Sequence, residues 1–182
     1  MIRMISPQPY FRSLFLLLCL LRHASSDLVG DACGQIADGD PNVDYAFCVE
    51  SLRPSAGATA RDLRGLAAAA ARLAAANATR ADAAAAAAMR GRAEKMGRYE
   101  RSCLESCQEL FEGAAEDLAE AAGMVEGGRF EDAGVRLSAA VDAPVTCEDG
   151  FREGGIASPL TAEDGDLFRL AVIALAINAR LK

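Results

Sequence analysis

The sequence predicts an all-α protein, an up-and-down four-helix bundle preceded by a short N-terminal helical hairpin and closed by two disulfide bonds. Apolar residues recur at intervals of three and four in four long segments, which is the spacing of one helical face. No segment of any length alternates polar and apolar residues as a strand does. Four cysteines, Cys33, Cys48, Cys107 and Cys147, provide the two predicted bonds.

Residues 1–26 are predicted to be a secretory signal peptide. Arg3 and Arg12 provide positive charge, the run that begins at Leu14 is apolar, and residues 24–26 are small enough for cleavage. The apolar run is shorter than the roughly 20 residues that a membrane-spanning helix needs. We therefore expect a secreted protein that has no membrane contact after cleavage.

The composition of the remaining domain, residues 27–182, excludes several classes of function. The only histidine, His23, lies in the predicted signal peptide, which excludes Ser-His and Cys-His nucleophile pairs. Removing the signal peptide also removes three arginines and no acid, so the formal net charge moves from −7 to −10. Such a surface repels nucleic acid and favours basic partners. We expect a binding protein and not an enzyme, with no cofactor and no metal.

The first predicted unit is the helical hairpin of residues 27–53, closed by Cys33 and Cys48. The turn-forming residues 38–42 separate its two helices. A linker is expected at residues 54–57. It leads to a capping box at Thr59 and Asp62, which opens the first bundle helix.

Alanine dominates this first bundle helix, which is predicted to reach about residue 95 because alanine has the highest helix propensity. The second bundle helix covers residues 99–125, with apolar residues on one stripe, and a Gly-Gly pair breaks it. The third covers residues 130–141, where Ala143 and Pro144 stop or kink it.

The last helix is predicted to start at a second capping box, Thr161 and Asp164. Its first turn is acidic, with Glu163, Asp164 and Asp166. We interpret these carboxylates as charges that complement the helix dipole.

The cysteine spacing alone does not choose among the three pairings that four cysteines allow. The predicted elements favour Cys33–Cys48 across the hairpin and Cys107–Cys147 between neighbouring helices, bonds worth about 3 and about 4 kcal/mol by the chain-entropy relation. Cys103, one turn before Cys107, is a buried free thiol, an intermolecular link or an alternative partner of Cys147.

A glycosylation sequon is present at Asn77, which is followed by Ala78 and Thr79. The predicted secretory route favours its use. Asn77 is therefore a candidate glycosylation site, although it lies inside a predicted helix.

Several segments together resemble the plant invertase and pectin methylesterase inhibitor family. They are residues 40–48, residues 137–141, the Thr-Cys-Glu-Asp-Gly-Phe run at residues 146–151, and Ser158-Pro159. The likeness covers nearly all of the chain from residue 28. It implies a four-helix bundle with a helical hairpin, and the pairings Cys33–Cys48 and Cys107–Cys147.

The resemblance also implies a partner and a contact site. Family members bind a pectin methylesterase or an acid invertase non-covalently and one-to-one, outside the cell or in vacuoles, and for this chain we expect the cell wall rather than the vacuole. Its invertase inhibitors carry a Pro-Lys-Phe element that enters the target's active-site cleft. The matching positions here are Gly128, Arg129 and Phe130, so the predicted target-binding residues are Arg129 and Phe130.

Two other functions stay open at this stage. A bundle that has lost inhibition would be a structural or interaction protein, and the replacement of the family proline by Gly128 favours that alternative. A small helical lipid carrier is the other, although compact carriers of that kind use eight cysteines.

Overall fold

A computed structural model describes residues 27–56 and 60–181; residues 1–26, 57–59 and 182, including the predicted signal peptide and Thr59, lie outside the described residues. The described part of the chain contains helices and no strand. The helices are α1 (Leu28–Ala37), α2 (Tyr45–Ala56), α3 (Leu63–Arg92), α4 (Arg98–Glu126), α5 (Phe130–Glu153) and α6 (Thr161–Ala179).

The four longest helices form an up-and-down bundle. α3 packs against α4 and α6, and α5 packs against the same two helices. Short turns join them, so consecutive helices run in opposite directions. α1 and α2 form the predicted hairpin, which contacts α3 and α6. The predicted fold class is confirmed.

The core is uneven, because α3 contributes small side chains and its partners contribute large ones. Eight alanines, Leu66 and Asn77 make up the buried face of α3. The bulky side chains come from the other bundle helices, chiefly Phe111, Leu118, Leu137, Phe151, Leu167 and Ile177, all of which are almost fully buried. Alanine on one helix lets its neighbours approach closely, so larger groups opposite can fill the space at normal packing density.

This packing makes α3 intolerant of added volume on its buried face. Ala74 is fully buried, whereas Ala76 on the same helix is exposed. We expect Ala74→Leu to lower the free energy of unfolding by about 1–3 kcal/mol through overpacking. Ala76→Leu should change it by less than about 0.5 kcal/mol. Urea denaturation followed by circular dichroism measures both. Equal losses of stability in the two variants would contradict the close packing of α3 against its neighbours.

Two prolines lie inside helices where the sequence predicted an end. α5 does not stop at Pro144 but continues to Glu153, and α2 runs through Pro54 to Ala56, which shortens the expected linker. Pro144 is buried, and Cys147, one turn later, is bonded to α4. Packing and the cross-link therefore hold α5 in place although Pro144 lacks an N–H group.

The predicted capping boxes are also corrected. Asp62 is itself the N-cap of α3, because its carboxylate accepts a 2.7 Å hydrogen bond from the Gly65 N–H group. No side chain caps α6: Thr161 Oγ1 instead donates to the Ser158 carbonyl at 3.3 Å. The N-cap of α6 is Leu160, whose side chain has no hydrogen-bond acceptor, and Asp164 is buried.

Candidate target-contact site

The turn between α4 and α5 presents the predicted contact residues at one end of the bundle. α4 ends at Glu126, and the Arg129 N–H group donates back to the Met124 carbonyl at 2.8 Å. This bond closes a Schellman-type turn, which requires a left-handed residue. Gly128 has φ +76°, so it is that residue. Proline, whose φ is fixed near −65°, cannot take this place in such a turn.

Phe130 is held from two sides. Its carbonyl accepts a 2.9 Å hydrogen bond from Asn178 Nδ2, a residue of α6 that is 1% exposed. Its ring lies under the Arg64 guanidinium of α3, with 5.3 Å between Cζ and the ring centroid. Because α3 and α6 both fix it, the half-buried Phe130 is a preorganised part of the surface.

Arg129 lies beside this ring and is much less constrained. Its side chain is 60% exposed, and its one ion pair in the described part of the chain is with Asp132 at 3.6 Å. An exposed pair of this length contributes little. The guanidinium is therefore available to an acidic partner. A shallow depression beside it is lined by Gly128, Arg129, Phe130, Glu131, Asp132 and Leu181.

Two disulfide bonds join the elements around the core. Cys33–Cys48 connects α1 to α2, and Cys107–Cys147 connects α4 to α5, with Cα–Cα distances of 5.8 and 5.0 Å. These are the pairings that the resemblance implied. Cys103 is a buried free thiol, and its burial raises the pKa of the thiol, an effect that the neighbouring Tyr99 side chain partly offsets.

The predicted glycosylation site, Asn77, is 7% exposed in the middle of α3. It faces a depression beside the first turns of α6, lined also by Arg80, Ala162 and Asp166. A glycan on Asn77 would displace the start of α6. Glycosylation of Asn77 stays a prediction, and it would have to precede folding.

The sequence analysis did not predict a buried carboxyl pair between α5 and α6. Asp164 is 3% exposed, and neither its oxygens nor Glu148 Oε1 has a hydrogen-bond donor in the described part of the chain. Burial, followed by contact with Glu148 and the charge of Glu163, raises the pKa of Asp164 to about 8. Asp164 is therefore a neutral acid below that pH, and its interpretation as a dipole-complementing charge is wrong.

One sequence signal could have located Asp164. Asp164 lies three residues before Leu167 and seven before Ala171, on the apolar stripe of α6. A carboxyl group on a buried stripe is disfavoured unless it is neutral or paired.

The carboxyl pair makes stability depend on pH. The folded state holds a proton on Asp164 up to about pH 8, whereas the unfolded chain releases it near pH 4. The free energy of unfolding should therefore fall as pH rises from about 4 to about 8, by at most about 1.4 kcal/mol per pH unit. We expect Asp164→Asn to flatten this slope in urea titrations at a series of pH values.

The matched control is Glu131→Gln, which removes an exposed carboxylate from the first turn of α5. It should leave the slope unchanged. A slope that survives Asp164→Asn would show that other groups cause it.

The fold and this surface define a class of protein: a disulfide-bonded helical bundle that presents a cation and an aromatic ring on a rigid end. The described residues contain no group of three or more His, Cys, Asp or Glu that could hold a metal ion. Among the same residues, no helix is long and apolar enough to cross a membrane.

Comparison with known proteins identifies the family. The family model described as plant invertase/pectin methylesterase inhibitor matches residues 27–177, so the chain belongs to that family. It is a family of inhibitors, which confirms the expectation that the protein is not an enzyme.

Relatives of known description carry both target names. A Platanus orientalis protein described as "Putative invertase inhibitor" is 36% identical over 90% of this chain and 95% of its own length. Pectinesterase inhibitor 8 of Oryza sativa subsp. japonica is 30% identical over 83% of this chain and 81% of its own length.

Solved structures support the fold. A mutant form of a pectin methylesterase inhibitor from Arabidopsis superposes with a TM-score of 0.69, covering 82% of this chain and 97% of its own, at 22% identity. At that identity the likeness concerns the fold alone.

Proposed function

We propose that the protein is a secreted, non-covalent inhibitor of a plant acid invertase or pectin methylesterase. Family membership supports inhibition, and the predicted signal peptide supports secretion into the cell wall. The observation that carries the contact site is the exposed Arg129 beside the fixed Phe130. These two residues would enter the active-site cleft of an invertase.

The chemistry of this pair suits a glycoside hydrolase. Such enzymes carry two catalytic carboxylates in a cleft. An arginine can donate to a carboxylate through two N–H groups at once. Arg129 would exchange only its 3.6 Å contact with Asp132 for that pair. Phe130 would lose little conformational freedom on binding, because α3 and α6 already hold it.

The two candidate targets predict different roles for the turn. In the family, the three-residue element belongs to invertase inhibitors, and pectin methylesterase inhibitors use polar helix surfaces instead. If the target is an invertase, removal of Arg129 and Phe130 weakens inhibition strongly. If it is a pectin methylesterase, the same change leaves inhibition intact.

We expect the double variant Arg129→Ala/Phe130→Ala to weaken inhibition of an acid invertase at least about thirtyfold, which corresponds to the loss of an interface anchor of about 2 kcal/mol. Inhibition constants are measured for one invertase and one pectin methylesterase in parallel at mildly acidic pH. A thermal melt checks that the variant is folded, since Phe130 is half-buried.

Arg80→Ala is the control, because Arg80 is exposed on α3 and far along the bundle from the turn. It should inhibit the invertase as the unmodified protein does. Unchanged invertase inhibition by the double variant would remove the turn from the mechanism. If the unmodified protein inhibits neither enzyme, the inhibitory function itself is wrong.

The sequence departure at Gly128 raised the non-inhibitory alternative, but the turn at Gly128 is ordered by hydrogen bonds to the end of α4 without a proline. The same parallel assay tests this alternative. A folded protein that binds neither enzyme by calorimetry would be a structural or interaction protein on the same bundle.

A further inference from the structure

The other end of the bundle carries a concentration of positive charge in an acidic protein. Five cations lie within residues 90–101 at the junction of α3 and α4, against two carboxylates, Glu94 and Glu100. The rest of α4, residues 102–126, has seven acidic residues and no cation. We call this junction the basic corner; its members are Arg90, Arg92, Lys95, Arg98, Arg101 and Tyr99.

Most of these cations have no role within the fold. Arg92 pairs with the buried Glu100 at 2.9 Å. The other four form no ion pair in the described part of the chain, and all but the half-buried Arg101 are exposed. Arg98 and Arg101 also lie in the first turn of α4, where the helix dipole disfavours a cation. The local rules of helix stability therefore do not explain these two arginines, whereas Arg90, in the last turn of α3, complements the dipole of that helix.

An aromatic ring is held rigidly in the first turn of α4, next to Arg98 in sequence. Tyr99 is 47% exposed, and its hydroxyl donates a 3.0 Å hydrogen bond to the Gly150 carbonyl. Its ring occupies the space beside Gly154, where a Cβ atom would lie only 2.2 Å from ring atom Cε1. The C–H faces of sugar rings pack against exposed aromatic rings of this kind. Glu153, at the end of α5, is the acid whose charge acts on Tyr99.

The basic corner and the target-contact turn can be occupied at the same time. They lie at opposite ends of α4, whose 29 residues extend about 40 Å. Of the acids in the rest of α4, only Glu105, about 6 Å from Arg101 along the helix axis, can offset a cation of the basic corner, because those from Glu109 onward lie about 12 Å or more away. That distance exceeds the Debye length of about 10 Å at 0.1 M salt.

We propose that the basic corner binds an acidic cell-wall polysaccharide, the polygalacturonate that remains when the methyl esters of pectin are hydrolysed. Each hydrolysed ester leaves a carboxylate on a sugar ring, so the product presents a row of anions joined to rings. The row of carboxylates can pair with the cations of the basic corner that form no ion pair in the described part of the chain. A sugar ring can pack against the exposed ring of Tyr99. The inference rests on the proposed secretion into the cell wall and does not require inhibition.

Retention on immobilised polygalacturonate, compared with highly methyl-esterified pectin, tests the proposal. The full secreted protein should bind polygalacturonate at low ionic strength and elute as salt screens the contacts. The triple variant Lys95→Gln/Arg98→Gln/Arg101→Gln should bind about tenfold more weakly, since each exposed ion pair contributes only modestly. It should still inhibit the target enzyme on a soluble substrate, which separates this site from the inhibitory one.

The control variant removes the same number of charges elsewhere. Arg61→Gln/Arg80→Gln/Arg180→Gln takes away three exposed arginines outside the corner and should retain binding within about twofold. Three results would each overturn the proposal: no binding to polygalacturonate, equal binding to the esterified polymer, or equal losses in the two triple variants. The last result would mean that net charge alone governs retention.

Discussion

The bond between Cys107 and Cys147 joins α4 to α5 one turn after Pro144 interrupts the hydrogen bonding of α5. The bundle depends on this cross-link more than a leucine-rich bundle would. Alanine supplies most of the buried face of α3, and each alanine removes little apolar area from water. A bond that closes a 40-residue loop contributes about 4 kcal/mol by restricting the unfolded chain. That contribution is a large fraction of the stability of an ordinary domain.

Much of the fold could be predicted because its signals are local and repeated. The stripe of α4 from Leu104 through Phe111 to Leu118 is fully buried, as its spacing indicated. The predictions that proved wrong share a different cause. Pro144 stops a helix by local rules, but a tertiary cross-link and burial override those rules at this position. Asp164 lies in the first turn of α6, where an acid normally complements the helix dipole. Its partner Glu148 lies 16 positions earlier in another helix, so the sequence does not show that the two share a buried site.

The candidate site, like the fold, could be predicted only in part. Arg129 and Phe130 could be located from a three-residue match, but the match did not reveal how they are held. Asn178 and Arg64 fix Phe130 from two other helices, and neither residue carries a sequence signal that connects it to position 130. The contacts that preorganise a site come from distant parts of the chain, so a local pattern can name the contact residues without their supports.

The conformation of the turn changes the interpretation of Gly128. As a sequence departure, it exchanges a rigid proline for the most flexible residue, which predicts a loss of preorganisation. In the structure, φ +76° is a conformation that glycine adopts easily and proline cannot adopt. The hydrogen bond from the Arg129 N–H group to the Met124 carbonyl then restrains the turn that Gly128 permits. A proline-containing element and this glycine turn are therefore two separate ways of ordering the same loop. The loss of the proline does not by itself imply a flexible contact site, because the hydrogen bond to the end of α4 orders the loop.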